Sequence, residues 1–271
     1  KLQIVAGSFV LFSLFYHFEP FNYFAFMSQE TAKAFRSKPL VDVDPKCLLY
    51  IHQREFAATT PADKWISVIG SDDATTCHLV VLRHTGSGAV CLAHCDGSST
   101  WSEVPLLVKA VTSLSDACKE GRLELHLVGG FNDDSKTSHD LSLDILAAFQ
   151  VQKEDIHLET CCITEMNDVV VNGTHRPVVY GIGVDVKTGD VYPASFPHKG
   201  PAEELRSART FTGGEYLSTS PRAEPPHFVQ HMKSTIQFLL DHPNSDSLFP
   251  GGQPQLYHRT ETGDWERVVQ S

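Results

Sequence analysis

Basic charge is scarce in this chain: 22 lysines and arginines stand against 33 aspartates and glutamates over 271 residues, a formal net charge of -11. Nucleic-acid binding draws most of its affinity from lysine and arginine on phosphates, so a general nucleic-acid binder is excluded. A cationic partner, such as a protonated peptide amine, is favoured instead. Paired cysteine motifs are missing as well. The seven cysteines (Cys47, Cys77, Cys91, Cys95, Cys118, Cys161 and Cys162) are odd in number, irregularly spaced and without a CxxC pair. They read as free thiols in a reducing compartment rather than a disulfide scaffold. Zinc held by Cys77, His78, Cys91, His94 and Cys95 stays open as an alternative, although the spacing matches no structural zinc site. There is no GxSxG elbow, no Walker loop, no GxGxxG after a strand and no HExxH. The serine-hydrolase, nucleotide and metalloprotease chemistries that those motifs carry lose their support.

Long apolar runs are limited to the N-terminus, where Ile4 to Phe18 is a 15-residue stretch relieved only by small residues and His17. A membrane-spanning helix wants about 20 such residues. A secretory signal wants a basic start and a small-residue cleavage site, for which only Lys1 and Ala25 offer anything. Residues 1–27 are therefore read as an atypical apolar leader ahead of one folded domain at 28–271, with membrane tethering and a signal peptide as the alternatives. Asn172-Gly173-Thr174 is a glycosylation sequon only in a secreted chain and carries little weight.

What remains is ordinary globular sequence, 41% hydrophobic and 20% charged, without repeats, heptads or Pro-rich linkers. Strands are expected at Cys47 to Ile51, Trp65 to Ile69, Arg122 to Val128 and His157 to Ile163. Apolar residues at Val104, Leu107, Val108, Val111, Leu114 and Ala117 recur at helical spacing, with Gly121 placed to end the helix. Further helices are expected over Asp140 to Val151, Pro201 to Arg209 and His227 to Leu240. Val178 to Val186 and Val191 to Phe196 read as a hairpin around Lys187-Thr188-Gly189-Asp190, and Gln255 to His258 with Trp265 to Val269 as an edge hairpin. The fold class is α+β: a single mixed domain of mostly antiparallel sheets flanked by helices, an α-β-β-α sandwich in outline.

The chemistry concentrates on one further hairpin. Cys77 to Arg83 and Ala89 to Cys95 read as strands joined at Thr85-Gly86-Ser87-Gly88, where glycines supply turn conformations. Centring the turn between Gly86 and Ser87 pairs positions whose numbers sum to about 173, so Cys77 opposes position 96 and His94 is its diagonal neighbour. A thiol beside an imidazole can be held as thiolate, the form that attacks carbonyl carbon. Cys77 follows small and polar residues, so the backbone N–H groups of Thr76, Cys77 and His78 are candidates for binding an oxyanion. His78 must face the opposite side of the sheet and is not the expected base. Thr75 or Thr76 could orient the imidazole of His94. Asp72 and Asp73 are turn carboxylates that could supply charge for a substrate ammonium.

In these residues the chain resembles the protein N-terminal asparagine amidohydrolase family. The likeness runs from about Cys47 to the C-terminus. It rests on Gly70 to His78, Arg83-His84-Thr85-Gly86, Ala93-His94-Cys95-Asp96-Gly97, His126-Leu127-Val128-Gly129-Gly130-Phe131 and the stretch LSTSPRAEPPHF from Leu217 to Phe228. The resemblance implies hydrolysis of the side-chain carboxamide of an N-terminal asparagine to aspartate and ammonia, a step feeding the N-degron route of ubiquitin-dependent degradation. It implies that Cys77 is the nucleophile. The Cys/His arrangement is also similar to that of bacterial glutamine deamidases, which implies His94 as base; Thr76 completes the expected catalytic set. Asp72, Asp73 and Glu165 are the candidates for the substrate's α-ammonium, with Asp72 foremost. The expected partners are protein or peptide N-termini bearing asparagine, with no nucleic acid, membrane, cofactor or metal. A monomer in the cytoplasm, extending to the nucleus, is expected. Two departures stand out: the apolar leader, and a segment around 213–217 shorter than similar proteins carry. A deamidase of internal glutamine and an inactive form that only binds N-termini are the alternative readings.

Overall fold

The computed structural model describes residues 2–4, 29–116, 118–211 and 217–269. The apolar leader lies outside the described residues except at 2–4, and so do residues 213–216 of the short segment. Along the chain, β1 (Leu2–Ile4) precedes a helix with described residues 29–36 (α1), then β2 (Val41–Asp42), β3 (Leu48–Tyr50), β4 (Phe56–Thr59) and β5 (Val68–Ser71). Next come β6 (His78–His84), β7 (Val90–Cys95), α2 (Thr100–Leu114), β8 (Leu123–Gly129), α3 (Thr137–Gln150) and β9 (Ile156–Ile163). The chain continues through β10 (Asp168–Val171), β11 (Thr174–Pro177), β12 (Ile182–Asp185), β13 (Val191–Ser195), α4 (Glu203–Ala208) and α5 (Phe228–Asp241). A single turn, α6 (Ser245–Leu248), leads to the ribbon β14 (Leu256–Arg259) and β15 (Trp265–Val268).

Two sheets carry the fold, one of six strands in the order β1-β9-β8-β6-β7-β4 and one of five in the order β2-β13-β12-β5-β3. Antiparallel pairs predominate, with parallel pairing at β1/β9, β8/β9, β2/β13 and β3/β5. The expected α+β class is what the chain adopts. The six-stranded sheet is covered on both faces. On one, Val80, Leu82, Cys91 and Leu125 pack against α2 (Val104, Leu107, Val111) and α3 (Ile145, Phe149). On the other, Leu79, Val81, Val90 and Leu92 meet Ile69, Ile182 and Val184 of the second sheet. Burial on both faces explains why β6 and β7 lack an apolar-polar alternation: His78 to Leu82 and all of β7 are buried.

The β6/β7 register is the expected one. His78 pairs with Cys95, Leu79 with His94 and Arg83 with Val90, each pair summing to 173, and Gly88 takes φ 75 in the connection. Other expectations change. The helix expected to run to Gly121 ends at Leu114, where Ser115 turns extended and its N–H bonds the Val111 carbonyl. Gly121 instead packs on the hairpin turn, since a Cβ there would lie 2.4 Å from the Gly86 nitrogen. Phe56–Thr59 forms an edge strand on β7 that the pattern did not announce. Asn172-Gly173 makes the tight turn of β10/β11, both residues at positive φ (52 and 76), a hairpin signal that is stronger than the sequon reading of the same residues.

Candidate active site

The loop of residues 72–77 crosses from β5 in one sheet to β6 in the other. Cys77 immediately precedes β6. His94 lies on β7 opposite Leu79, so its side chain shares the sheet face of Leu79 and Cys77. His78 projects to the other face and pairs with Ser142 of α3, Nε2 to Oγ, at 2.7 Å. Among the described residues, no three His, Cys, Asp or Glu side chains gather as metal ligands would. Cys77 and His94 both line a cavity of about 280 Å³, whose wall also includes His52, Asp72, Lys199 and Glu224.

The imidazole of His94 is oriented by a residue from the opposing sheet. Ser71, the last residue of β5, donates its hydroxyl proton to the Ile51 carbonyl at 2.6 Å and lies 2.8 Å from His94 Nδ1. A hydroxyl has one proton. With that proton committed to Ile51, Ser71 accepts from Nδ1–H, and the tautomer of His94 follows: Nε2 carries a bare lone pair. That Nε2 is buried and has no hydrogen-bond partner among the described residues. Burial holds the His94 pKa down to about 4, so the ring is neutral at pH 7.

Cys77 is half-buried. Its surroundings push the thiol well above the ordinary value, first by desolvation and then by the negative charges of Asp96 and Glu224. The thiolate anticipated from the Cys/His juxtaposition is therefore not the resting form; the pair rests as thiol and neutral imidazole. Neither Thr76 nor Cys77 has a hydrogen-bonded N–H among the described residues. The Cys77 carbonyl is tied to the Gly130 N–H at 2.9 Å.

The other site residues expected from the sequence are distributed unevenly. Thr76 lines the cavity, while Thr75 donates to Glu224 Oε2 at 2.7 Å. Asp72 is buried and already serves three donors: the Tyr50 hydroxyl at 2.5 Å, Lys199 Nζ at 2.8 Å and the Phe196 N–H at 3.1 Å. Asp73, at φ 57, meets Lys199 at 2.5 Å and His227 Nε2 at 2.6 Å. Burial would raise Asp73, but the bonds from His227 and Lys199 outweigh it and hold it well below the usual carboxylate range. Burial and the neighbouring Asp73 charge push Asp72 up. Burial would lower Lys199, but the two carboxylates keep its pKa above the usual value. Glu165 is not brought to the cavity; it stands exposed beside His139 at 3.7 Å. Ser71, Lys199, Glu224 and His227 were not singled out from the sequence. Ser71 sits beside Asp72 in the Gly70 to His78 stretch, and Glu224 and His227 both sit within LSTSPRAEPPHF; Lys199 lies in none of the quoted stretches.

The model of the family described as protein N-terminal asparagine amidohydrolase matches residues 38–217 and 214–267, two stretches that meet at the short segment. The protein N-terminal asparagine amidohydrolase of Homo sapiens is 46% identical over 279 aligned positions, covering 89% of this chain and 90% of that protein. The protein of the same name from Sus scrofa is also 46% identical over the same coverage. The Arabidopsis thaliana protein of that name is 28% identical, covering 81% of this chain and 80% of its own length.

Proposed function

Since the chain belongs to the protein N-terminal asparagine amidohydrolase family, we propose that it hydrolyses the side-chain carboxamide of an N-terminal asparagine, with Cys77 as nucleophile and His94 as general acid and base. The observation that carries this reading is the unpartnered Nε2 of His94, fixed as an acceptor by Ser71, in the cavity that Cys77 lines.

The proton inventory of the site sets the sequence of events. Because thiol and imidazole rest neutral, deprotonation accompanies attack: as Cys77 Sγ bonds the carboxamide carbon, the thiol proton passes to His94 Nε2. The carbonyl oxygen becomes an oxyanion, held by the N–H groups of Thr76 and Cys77. His94 then protonates the departing nitrogen, the C–N bond breaks, ammonia leaves and a thioester remains. Water, giving its proton to the same Nε2, attacks the thioester; the C–S bond breaks, and the sulfur recovers its proton from His94. The product is an N-terminal aspartate, the form proposed to enter N-degron degradation. Cys47, Cys77, Cys91, Cys95, Cys118 and Cys162 are free thiols, and the cytoplasm, extending to the nucleus, is the compartment proposed for this chemistry.

Peptides that begin with Asn, Gln or acetyl-Asn and are otherwise identical test the reading through ammonia release and the accompanying mass change. Turnover of the free Asn peptide, lost in Cys77→Ser, is the expected outcome. Equal turnover of internal or N-terminal glutamine would move the assignment to a general protein deamidase. A folded protein without turnover of any of them would make it a binding form only.

A further inference from the structure

The carboxylates around the cavity are unequally matched. Asp72 and Asp73 are compensated by Lys199, buried between them, and by His227. Glu224 is not. Its Oε2 accepts from Thr75 Oγ1 at 2.7 Å and its Oε1 from Ser218 Oγ at 2.5 Å, both neutral hydroxyls. Among the described residues, no lysine, arginine or histidine forms an ion pair with it. Two hydroxyls fill about half of the four acceptor sites of a carboxylate. The residue is also held in place: the neighbouring Ala223 carbonyl accepts from the Tyr180 hydroxyl at 2.5 Å, and Pro225-Pro226 follow.

A half-buried carboxylate without a countercharge is costly unless a ligand supplies one. The substrate carries one cation close to the reacting carbon. In an N-terminal asparagine, the α-carbon and a single methylene separate the ammonium from the carboxamide carbon, so an ammonium must come to rest near Cys77 whenever the carboxamide does. Glu224 is near enough to Cys77 for its charge to help hold the thiol proton, and both line the same cavity.

We propose that Glu224 is the acceptor of the substrate's α-ammonium and thereby the residue that restricts the reaction to chain termini. This deepens the amidohydrolase reading and rests on it. Asp72 and Asp73 are spent on Lys199 and His227 and hold the loop of residues 72–77 in shape. Binding has a second effect. An ammonium on Glu224 offsets one of the two negative charges that, after desolvation, help retain the Cys77 proton, so the correct substrate eases its own attack, whereas a blocked N-terminus leaves that charge in place.

The test compares kcat/KM for a peptide beginning with Asn and for the same peptide beginning with the succinamoyl group, which is asparagine without its α-amine. The wild-type chain should prefer the free amine by about 100-fold. Glu224→Gln should lose most of that factor on the amine peptide while turning over the succinamoyl peptide no more slowly than the parent, because the charge that helps hold the thiol proton is gone, and so collapse the preference. Glu224→Asp keeps the charge and should keep a clear preference, which guards against a variant that merely folds badly. Equal loss on both peptides, or an intact preference in Glu224→Gln, would overturn the proposal. Failure of the wild-type chain on the Asn peptide would instead bring down the amidohydrolase reading beneath it.

Discussion

At Cys77 the decisive quantity is where a proton rests. Desolvation and two nearby carboxylates raise the thiol, while burial lowers His94 to about 4, so charge separation awaits the substrate. Inactivation of the free protein by iodoacetamide, followed against pH at Cys77, should therefore keep accelerating past the ordinary thiol value of 9.0. A plateau near neutrality would mean a preformed thiolate-imidazolium pair and would refute the neutral resting state. Ser71 supplies a second prediction at this scale. Ser71→Ala removes the acceptor for His94 Nδ1–H and frees the ring to take the wrong tautomer; kcat on the Asn peptide should fall about 100-fold with KM little changed. Loss of the hydroxyl leaves the Ile51 carbonyl and His94 Nδ1–H without their partner and should cost about 1–3 kcal/mol of stability in a urea titration. A loss of stability without loss of kcat would leave Ser71 a structural residue.

The elements act on the site mainly through their ends. β6, β7 and β8 are held in register along their lengths, and at the close of β8 two glycines let the backbone approach Cys77. Gly129 sits at φ 136, and a Cβ there would come within 2.5 Å of the Cys77 carbonyl oxygen; at Gly130, φ 66, it would come within 2.8 Å of His78 Cε1. The HLVGGF stretch, in the sequence only a likeness, thus has a mechanical function, since no side chain fits between β8 and the Cys77 backbone. Gly129→Ala must both strain a conformation that L residues avoid and displace the Cys77 carbonyl. A destabilisation of about 1–3 kcal/mol is expected, with a loss of kcat/KM at temperatures well below unfolding. A variant as stable and active as the parent would show that β8 yields without moving Cys77.

For the molecule as a whole, sandwiching a six-stranded sheet between helices and a second sheet buries imidazoles as neutral groups. Burial lowers the pKa of His52 to about 2 and of His78, His94 and His126 to about 4, each from an ordinary 6.5. Between pH 6.5 and 4 the unfolded chain takes up protons at these rings that the folded chain refuses, so stability falls with falling pH across that window. Each fully refused proton contributes a slope of up to about 1.4 kcal/mol per pH unit. The carboxylates held low, Asp73 and Asp96, add their loss only below the ordinary carboxylate value of 3.8. Urea midpoints measured from pH 7 to 4 should therefore drop steeply, beginning near 6.5. A flat profile to pH 4 would mean that these histidines are not buried neutral.

The amino-acid sequence by itself determined the local parts of this protein. The β6/β7 register followed from turn glycines and a period of two, and with it the sharing of one face by Cys77 and His94 and the exile of His78 to the other. The helices α2 and α3 followed from apolar spacing, although α2 stops at Leu114, and the α+β class from the preponderance of hairpins. Tertiary structure alone decided what lies across the gap between the sheets. Ser71 reaches His94 because β5 packs against β7 from the opposite layer. Lys199 arrives between Asp72 and Asp73 from well over a hundred positions away, and Glu224 meets Thr75 in the same manner. Local periodicity reports which face a side chain takes. Which carboxylate keeps a free charge depends on cations delivered from distant segments, so it is settled only when the layers close.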